Sequence, residues 1–259
     1  MRTALTIAGS DSGGGAGIQA DLKTFAAHGV FGTSAITAVT AQNTRGVTGV
    51  HVLPAGIVRA QIDAVVSDIR PDAVKIGMLA GVEIIAEVAA ALDTHALRPV
   101  VLDPVMVAKG GSRLLAADAV AAMSSLLVPR AALVTPNLAE AEVMVGREVR
   151  DTHAMDAAAR ALVDAGAGAA LVKGGHLDGP LVIDVLWTGR ERHVFESPRI
   201  DTVHTHGTGC TLSSAIAAQL ALGLPLVEAV AAAIAYVRKA IGQAPGLGSG
   251  HGPLQHFPR

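Results

Sequence analysis

Short apolar runs alternate with longer segments of helical periodicity along the whole chain. The apolar runs predict strands over residues 4–8, 32–40, 73–76, 100–102, 132–134 and 169–172. Between them, apolar positions three and four apart predict helices over residues 18–28, 57–69, 82–92 and 155–165. This alternation is typical of βαβ units, in which helices cover both faces of a parallel sheet.

A strand pair follows the parallel part of this pattern. Residues 181–187 and 192–196 both favour extended structure, and Thr188-Gly189 between them is a turn signal. Strands joined by so short a connection pair antiparallel, so we expect the sheet to have a mixed edge. The expected fold class is α/β, with a central and mostly parallel sheet.

One apolar segment, residues 212–237, is long enough to suggest a membrane span. Gln219, Pro225 and Glu228 interrupt it, so it predicts two buried helices that are separated at Gly223 and Pro225, and no membrane partner. The chain contains no internal repeat, charge block or Pro/Ser-rich linker. We therefore expect a single domain over residues 1–259.

The composition supports a large buried core. Of the 259 residues, 51% are hydrophobic and 16% are charged, whereas roughly 25% are charged in an average soluble protein. A disordered chain is excluded. The net charge of −2 and an aromatic content of 2% provide neither a basic patch nor stacking platforms for a nucleic acid. The single cysteine forms no internal disulfide, and no secretory leader pattern is present, which makes the cytoplasm the expected location.

Nearly every predicted strand ends in polar or Gly/Pro residues. These strand exits are Gly9-Ser10-Asp11, Gln42-Asn43-Thr44, Lys75-Ile76-Gly77, Asp103-Pro104, Thr135-Pro136-Asn137 and Lys173-Gly174-Gly175-His176. In an open α/β sheet, ligands bind outside the carboxyl ends of the parallel strands. The active site is therefore expected at the rim where these exits meet.

The first exit opens a glycine-rich loop, Gly9-Ser10-Asp11-Ser12-Gly13-Gly14-Gly15-Ala16-Gly17. Its backbone N–H groups and the helix that follows could face an anion or a polar ligand. The loop lacks the Gly-Lys-Ser/Thr of a P-loop, and Ile18 stands where a dinucleotide-binding loop has its third glycine. A tight strand-to-helix turn without a ligand explains the glycines equally well.

A second glycine-rich stretch, residues 204–211, directly precedes an apolar helix. Its consecutive N–H groups predict an anion hole, and Cys210 would lie in the first helical turn, where the helix dipole favours a thiolate. The alternative is that Cys210 is a small buried apolar residue. His204 and His206 suggest a metal pair only weakly, because no third ligand accompanies them.

Three charged residues at other exits suit phosphate and metal chemistry. Asn137 and Glu140 resemble a helix capping box, and the Glu140 carboxylate could also orient waters on a phosphate-bridging Mg²⁺. Asp103 is a second carboxylate for the metal or phosphates, or only the start of the turn at Pro104. Lys173 could reach a phosphate as a point charge, or lie in solvent at the end of its strand.

These motifs and several neighbouring segments are distributed along nearly the whole chain. In chain order they are Ala8-Gly9-Ser10-Asp11-Ser12, Gly14-Gly15-Ala16-Gly17-Ile18-Gln19-Ala20-Asp21-Leu22-Lys23-Thr24, Ala41-Gln42-Asn43-Thr44-Arg45-Gly46, Lys75-Ile76-Gly77-Met78-Leu79, Asp103-Pro104-Val105-Met106, Thr135-Pro136-Asn137, Lys173-Gly174-Gly175-His176, His206-Gly207-Thr208-Gly209-Cys210-Thr211 and Gly252-Pro253-Leu254. Together they resemble the hydroxymethylpyrimidine/phosphomethylpyrimidine kinase family of thiamine biosynthesis.

The resemblance implies a ribokinase-like three-layer αβα sandwich, usually a homodimer, that uses ATP and Mg²⁺. Such an enzyme phosphorylates 4-amino-5-hydroxymethyl-2-methylpyrimidine and then its monophosphate. The substrate-binding residues implied by analogy are Gly9, Asp21, Gln42, Met78 and Val105. An amide such as that of Gln42 can both donate to and accept from an aminopyrimidine edge.

The resemblance also implies roles at the phosphoryl-transfer end. The backbone of residues 207–210, including Gly207, Thr208 and Gly209, would stabilise the moving phosphoryl group, and Lys173 would add a positive charge. Glu140 and Asp103 would organise Mg²⁺ on the ATP phosphates. Cys210, which stands where many sugar kinases of this fold carry a catalytic Asp, would accept the hydroxyl proton or only hydrogen-bond it.

Three other functions compete with this one. A pyridoxal kinase of the same branch would act on a similar hydroxymethyl group, although Ala41-Gln42-Asn43-Thr44 favours the pyrimidine. A non-catalytic sensor of pyrimidine or nucleotide would not need Lys173, Glu140 and the glycine loop together. A Rossmann dehydrogenase is disfavoured by the broken glycine spacing.

Overall fold

The structure, a computed structural model, describes residues 1–106, 115–175 and 177–258. The strands of these described residues are β1 (Thr3–Asp11), β2 (Phe31–Asn43), β3 (Gly46–Val52), β4 (Ala73–Ile76), β5 (Val100–Leu102), β6 (Leu133–Val134), β7 (Ala170–Val172), β8 (Leu181–Trp187) and β9 (Arg192–Pro198). The helices are α1 (Gly17–Ala27), α2 (Ala55–Asp68), α3 (Val82–Thr94), α4 (Ala117–Leu126), α5 (Leu138–Val145), α6 (Thr152–Asp164), α7 (Thr208–Ala221) and α8 (Leu226–Gly242), with a 3₁₀ turn at Val128–Arg130.

The strands form one sheet in the order β3-β2-β1-β4-β5-β6-β7-β8-β9. The six from β2 to β7 are parallel, whereas β3 at one edge and β8 near the other run antiparallel to their neighbours. The predicted mostly parallel sheet and its strand pair β8–β9 are confirmed. Strand β3 was not predicted, because most of its side chains are exposed and give no apolar signal.

Helices cover both faces of the sheet. Apolar side chains of α2, α3 and α4 pack on one face, where they meet residues such as Leu5 and Ile7 of β1. Helices α1, α7 and α8 pack on the other face, where they meet Ala4 of the same strand. Because successive side chains of a strand point to opposite faces, an apolar run without polar interruptions supplies both layers.

Helices α7 and α8 are the two buried helices predicted from residues 212–237. They are separated at Gly223, whose φ of +93° favours glycine, and α8 begins after Pro225. The buried face of α7 consists mostly of Ala and Ser, so the helix axis approaches the sheet closely. Among the helices of the described residues, none is both long enough and apolar enough to cross a membrane.

The strand order reverses beside β1, which positions the site. The chain leaves β1 for β2 on one side and later returns to β4 on the other side. Connections that leave in opposite directions produce a crevice outside the carboxyl ends of β1 and β4. Gly9 at the end of β1 and Met78 just beyond β4 both line that crevice.

Candidate active site

A cavity of about 1070 Å³ lies at the carboxyl ends of the parallel strands. Eleven of the twelve site residues predicted from the sequence line it: Gly9, Gln42, Met78, Asp103, Val105, Glu140, Lys173, Gly207, Thr208, Gly209 and Cys210. His176, which belongs to the motif that begins at Lys173, lies outside the described residues. The fold thus brings residues from most of the chain to one rim.

Asp21 is the exception among the predicted site residues. Its side chain is fully buried behind the cavity, where both carboxylate oxygens accept hydrogen bonds from Lys75 Nζ at 3.0 and 2.9 Å. Thr6 and Ser214 each donate to the same carboxylate at 2.6 Å. The expected contact between Asp21 and a substrate is therefore corrected: Lys75, which the sequence reasoning passed over, stands between Asp21 and the cavity.

The glycine-rich loop after β1 also differs from its expectation. Asp11 turns its carboxylate back into the loop and accepts the N–H groups of Gly13, Gly15 and Ala16 at 2.8, 3.1 and 2.9 Å. The N–H of Gly14 donates to the Asp11 carbonyl. Since these donors are used internally, the expectation that they face an external anion is wrong. The loop is a closed turn, and its signal in the sequence is the Asp at its start.

The second glycine-rich stretch does open toward the cavity. Gly207, at φ +82°, is the N-cap of helix α7, whose first-turn N–H groups have no partner within the helix; of these, the Thr208 N–H donates to the Thr205 carbonyl at 3.3 Å. A Cβ on Gly207 would lie 1.8 Å from the Gly15 carbonyl oxygen, so only glycine lets the two loops pack together. Thr208 and Gly209 follow in the first turn and line the cavity. Such a helix start is suited to bind phosphate oxygens.

Lys173 supplies the positive charge beside this helix start. Its Nζ lies 3.0 Å from Asp103 Oδ1, and a Cβ on Gly209 would lie 3.3 Å from the same nitrogen. Burial works against the charge, but Asp103 and Glu140 outweigh it and the pKa of Lys173 is raised. Asp103, in turn, accepts from Thr135 at 3.3 Å and from Ser213 at 3.3 Å. Lys173 is therefore a fixed cation in the site and not a solvated strand-end lysine.

Glu140 forms the predicted capping box at the start of α5. The Asn137 N–H donates to Glu140 Oε2 at 2.8 Å, and the Glu140 N–H donates to Asn137 Oδ1 at 3.0 Å. Burial raises the pKa of Glu140 to about 7, although Lys173 nearby lowers it. Within the described residues, no group of three or more His, Cys, Asp or Glu side chains could hold a metal ion. A cation here would rely on few protein ligands, as Mg²⁺ commonly does.

The raised pKa of Glu140 makes stability depend on pH. The folded state binds the Glu140 proton more tightly than the unfolded state, so stability is lost as the pH rises from about 4.5 to about 7 and is constant above. Glu140→Gln keeps an amide oxygen for the capping box and has no proton to lose. We expect the Tm of the variant, measured relative to that of the wild type, to be higher at pH 8 than at pH 4.5. Thermal denaturation in EDTA at pH 4.5 and 8 measures it, with the exposed Glu148→Gln as the control that shows no such shift.

Cys210 lies half-buried in the first turn of α7. Burial raises the pKa of its thiol to about 11, which the positive charge of Lys75 only partly opposes. This pKa favours a protonated thiol near neutral pH, because desolvation outweighs the helix dipole, and it favours the alternative in which Cys210 only hydrogen-bonds the substrate hydroxyl. Cys210 nevertheless lines the cavity, so its S–H can still meet a ligand.

The cavity lining also includes the residues expected to contact a pyrimidine. Gly9 leaves room for Met78, because a Cβ on Gly9 would lie 2.9 Å from Met78 Cε. The Met78 carbonyl accepts from Thr37 at 2.6 Å, which fixes its backbone. Val105 is half-buried and adds an apolar wall. Gln42 supplies an amide to the lining and contacts His206, which in turn contacts Asp11.

Sequence reasoning also missed Asp184, a buried carboxylate on β8 that lines the cavity. It accepts the N–H of Gly174 at 2.9 Å, and burial raises its pKa. A Cβ on Gly174 would lie 1.9 Å from the Ile183 carbonyl oxygen. The close packing of Gly174 against the backbone of Ile183 fixes the turn that carries Lys173. The signal in the sequence that could have identified Asp184 was a single Asp within the apolar segment 181–187.

Comparison with known proteins identifies the family of this chain. The family model described as phosphomethylpyrimidine kinase matches residues 11–255. The hydroxymethylpyrimidine/phosphomethylpyrimidine kinase of Rhizobium meliloti is 56% identical over 259 residues, with 99% of this chain and 97% of that protein covered. The chain belongs to the phosphomethylpyrimidine kinase family. The resemblance inferred from the motifs is thereby confirmed, as are the assignment as a kinase and its place in thiamine biosynthesis.

Two further comparisons define the breadth of this family likeness. The thiamine biosynthesis bifunctional protein ThiED of Geobacter sulfurreducens is 53% identical over 253 residues, and the match covers 98% of this chain but 52% of that longer protein. The structure of the ADP complex of Bacillus subtilis pyridoxal kinase superposes with a TM-score of 0.93 at 40% identity, covering 100% of this chain and 98% of that chain. The predicted ribokinase-like αβα sandwich is confirmed.

Proposed function

We propose that this phosphomethylpyrimidine kinase family member transfers the terminal phosphoryl group of ATP to 4-amino-5-hydroxymethyl-2-methylpyrimidine and then to the resulting monophosphate. The observation that carries the proposal is one cavity lined by two sets of groups. The start of α7 and Lys173 supply hydrogen-bond donors and a positive charge, and Gln42, Met78 and Val105 supply an amide and apolar surface for a flat polar ring. A reaction that consumes ATP is expected in the cytoplasm.

The nucleotide is assigned to the part of the cavity between α8 and the β8–β9 pair. Ile234, Val237 and Ile241 of α8 form an apolar wall there, and Arg199 and Arg238 also line this part. An adenine ring is buried well against such aliphatic side chains. This placement leaves the phosphates pointing to the first turn of α7.

The chain's own groups do the work of positioning and charge neutralisation. The first turn of α7, beginning at Gly207 and Gly209, would present backbone N–H groups to the charge that develops on the moving phosphoryl group, and Lys173 lies beside Gly209. Phosphoryl transfer needs little covalent chemistry from a protein, so such groups supply most of the rate enhancement. Asp103 holds Lys173 in place through their 3.0 Å contact.

Glu140 suits a magnesium ion better than Asp103 does. The oxygens of Asp103 already accept from Lys173, Thr135 and Ser213, whereas Glu140 is a cavity carboxylate whose buried charge has no direct cationic partner among the ion pairs of the described residues. Mg²⁺, when bound, would neutralise charge on the ATP phosphates. Glu140 would hold it through a water.

Pyridoxal is the second candidate substrate, supported by the structural likeness to the Bacillus subtilis enzyme. The two acceptors differ in the ring edge that Gln42 would meet. A coupled ADP-release assay with MgATP and each acceptor, with products resolved by mass, tests the proposal. Diphosphate formed from the pyrimidine is the expected result, and turnover of pyridoxal alone would contradict the assignment of substrate.

Cys210 is expected to act as a hydrogen-bonding thiol rather than as a base. With a pKa of about 11 for its thiol, only about one molecule in 10⁴ carries the thiolate at pH 7. Cys210→Ala should therefore lower kcat by roughly 10- to 100-fold, the effect of one lost hydrogen bond. Cys210→Ser keeps a hydroxyl donor and should stay within about tenfold of the wild type. Steady-state rates from pH 6.5 to 10 decide: a serine variant as slow as alanine would establish a thiolate base.

A homodimer is part of the same proposal. Strand β3 forms an open edge of the sheet, and Val50 and Val52 on it are each 46% exposed. An edge strand with exposed valines is a natural surface for a second copy of the chain. Light scattering behind size exclusion measures the mass, and a monomer at micromolar concentration would contradict the dimer.

A further inference from the structure

The Gln42 side chain lies between His206 and Thr40. Gln42 Nε2 lies 3.3 Å from His206 Nε2. On the other side, Gln42 Oε1 lies 3.1 Å from Thr40 Oγ1. The oxygen and nitrogen ends of an amide have the same shape, so the hydrogen bonds around them decide which end is which.

The His206 contact requires an acceptor on Gln42. His206 Nε2 lies 2.8 Å from Asp11 Oδ2, and the same Asp11 carboxylate accepts three backbone N–H groups. Burial alone would raise the pKa of Asp11, but these hydrogen bonds hold it below its usual value. Asp11 is therefore ionised, and the proton of the pair resides on His206 Nε2. Two donors cannot bond each other, so the hydrogen bonds require the Gln42 amide to be turned over, with its oxygen toward His206.

Thr40 is compatible with this polarity but does not impose it. Its hydroxyl has a single proton, which it can donate to the Ser10 carbonyl oxygen at 2.9 Å or to the Gln42 oxygen at 3.1 Å. When the proton goes to Ser10, Thr40 accepts from the amide nitrogen of Gln42. His206 therefore selects the polarity of the Gln42 amide, with oxygen toward His206 and nitrogen toward Thr40.

We propose that His206 is a positioning residue that sets substrate specificity by fixing this polarity of Gln42. The inference rests on the proposed function, because it assigns Gln42 to the ring of the acceptor. The second lone pair of the amide oxygen and the second proton of the nitrogen are left for a ligand in the cavity. A 4-aminopyrimidine offers the matching pair, an amino N–H and the adjacent ring nitrogen.

Fixed polarity discriminates against the reversed donor pattern. In the 4-oxo analogue of the pyrimidine, the ring nitrogen carries a proton and the exocyclic oxygen accepts. The ring N–H would then face the N–H of Gln42, and the exocyclic oxygen would face the oxygen of Gln42. A buried donor that faces a donor loses its hydrogen bond and keeps the desolvation cost. If the Gln42 amide were free to turn over, it would bind either analogue equally well.

The experiment is a binding titration of both analogues, without ATP, by calorimetry. The wild type is expected to prefer the 4-amino compound by about 30-fold or more. His206→Phe keeps a flat ring but has no N–H, and its preference should fall below about fivefold. His206→Gln places an amide N–H2 near the position of Nε2 and should restore the preference. His153→Phe, at an exposed histidine of α6, is the matched control and should behave as the wild type.

Each outcome has one meaning. If His206→Phe keeps the full preference while the wild type binds the pyrimidine, the positioning role is wrong and the proposed function stands. If the wild type binds neither analogue, the proposed function itself fails. Should His206→Phe not fold, ¹⁵N shifts of labelled histidine in the wild type still decide, because an unprotonated His206 Nε2 would overturn the assignment.

Discussion

Lys173→Met is expected to lower kcat by about 10³-fold, because it removes a buried side-chain cation that lies beside the first turn of α7. It also leaves Asp103 buried without its partner, and the loss of one member of a buried pair costs about 3–5 kcal/mol. The variant should therefore be both slow and less stable. Steady-state kinetics and thermal denaturation measure the two effects.

A second substitution separates the two effects of Lys173. In the double variant Lys173→Met with Asp103→Asn, no carboxylate charge is left unpaired, so Tm should recover most of its loss. The kcat should not recover, because the cation is still missing. A single variant whose kcat stays within threefold of the wild type would show that Lys173 holds Asp103 and does not act on phosphate.

Gly207→Ala is expected to lower kcat by about 10²- to 10³-fold, the effect of losing oriented N–H donors. The new Cβ would lie 1.8 Å from the Gly15 carbonyl oxygen, and φ of +82° is strained for alanine. The loop must move, and the first turn of α7 moves with it. Calorimetric binding of a non-hydrolysable ATP analogue, together with kcat, measures the loss.

Gly242→Ala is the control for Gly207→Ala. Its Cβ would have no neighbour within 4 Å, and its φ is not positive, so kcat and nucleotide affinity should not change. A Gly207→Ala variant with wild-type affinity and kcat would show that the start of α7 does not bind the phosphates. A general loss of folding would instead appear as a lowered Tm and an altered circular dichroism spectrum.

The sequence pattern predicts the buried part of the fold and fails at its exposed edge. Strands covered on both faces, such as β1 and β4, are continuous apolar runs and leave a clear signal. Strand β3 is held by backbone pairing to β2 and has mostly exposed side chains, so periodicity cannot reveal it. The location of the site at one rim of the sheet was predictable for a different reason, because the carboxyl ends of parallel strands lie at the same edge of the sheet.

The partners within the site could not be read from local pattern. Asp21 meets Lys75 across 54 positions, and His206 meets Asp11 across 195 positions. Such pairs depend on how helices and loops pack after the sheet has formed. Without that packing, Asp21 resembles a ligand-binding residue and the loop at Asp11 resembles an anion site. At Cys210, likewise, the helix start was visible in the sequence, whereas the desolvation that raises the pKa of its thiol was not.

The contact between the Gly15 and Gly207 loops also has a consequence for how the protein folds. The site closes only when the loop after the central strand meets the loop before α7, and the His206–Asp11 bond there spans 195 positions. Contacts between distant residues form late, after the cost of ordering the chain between them has been met. Catalytic activity should therefore return in the last phase of refolding, after the helical signal in circular dichroism, and so report completion of the native state.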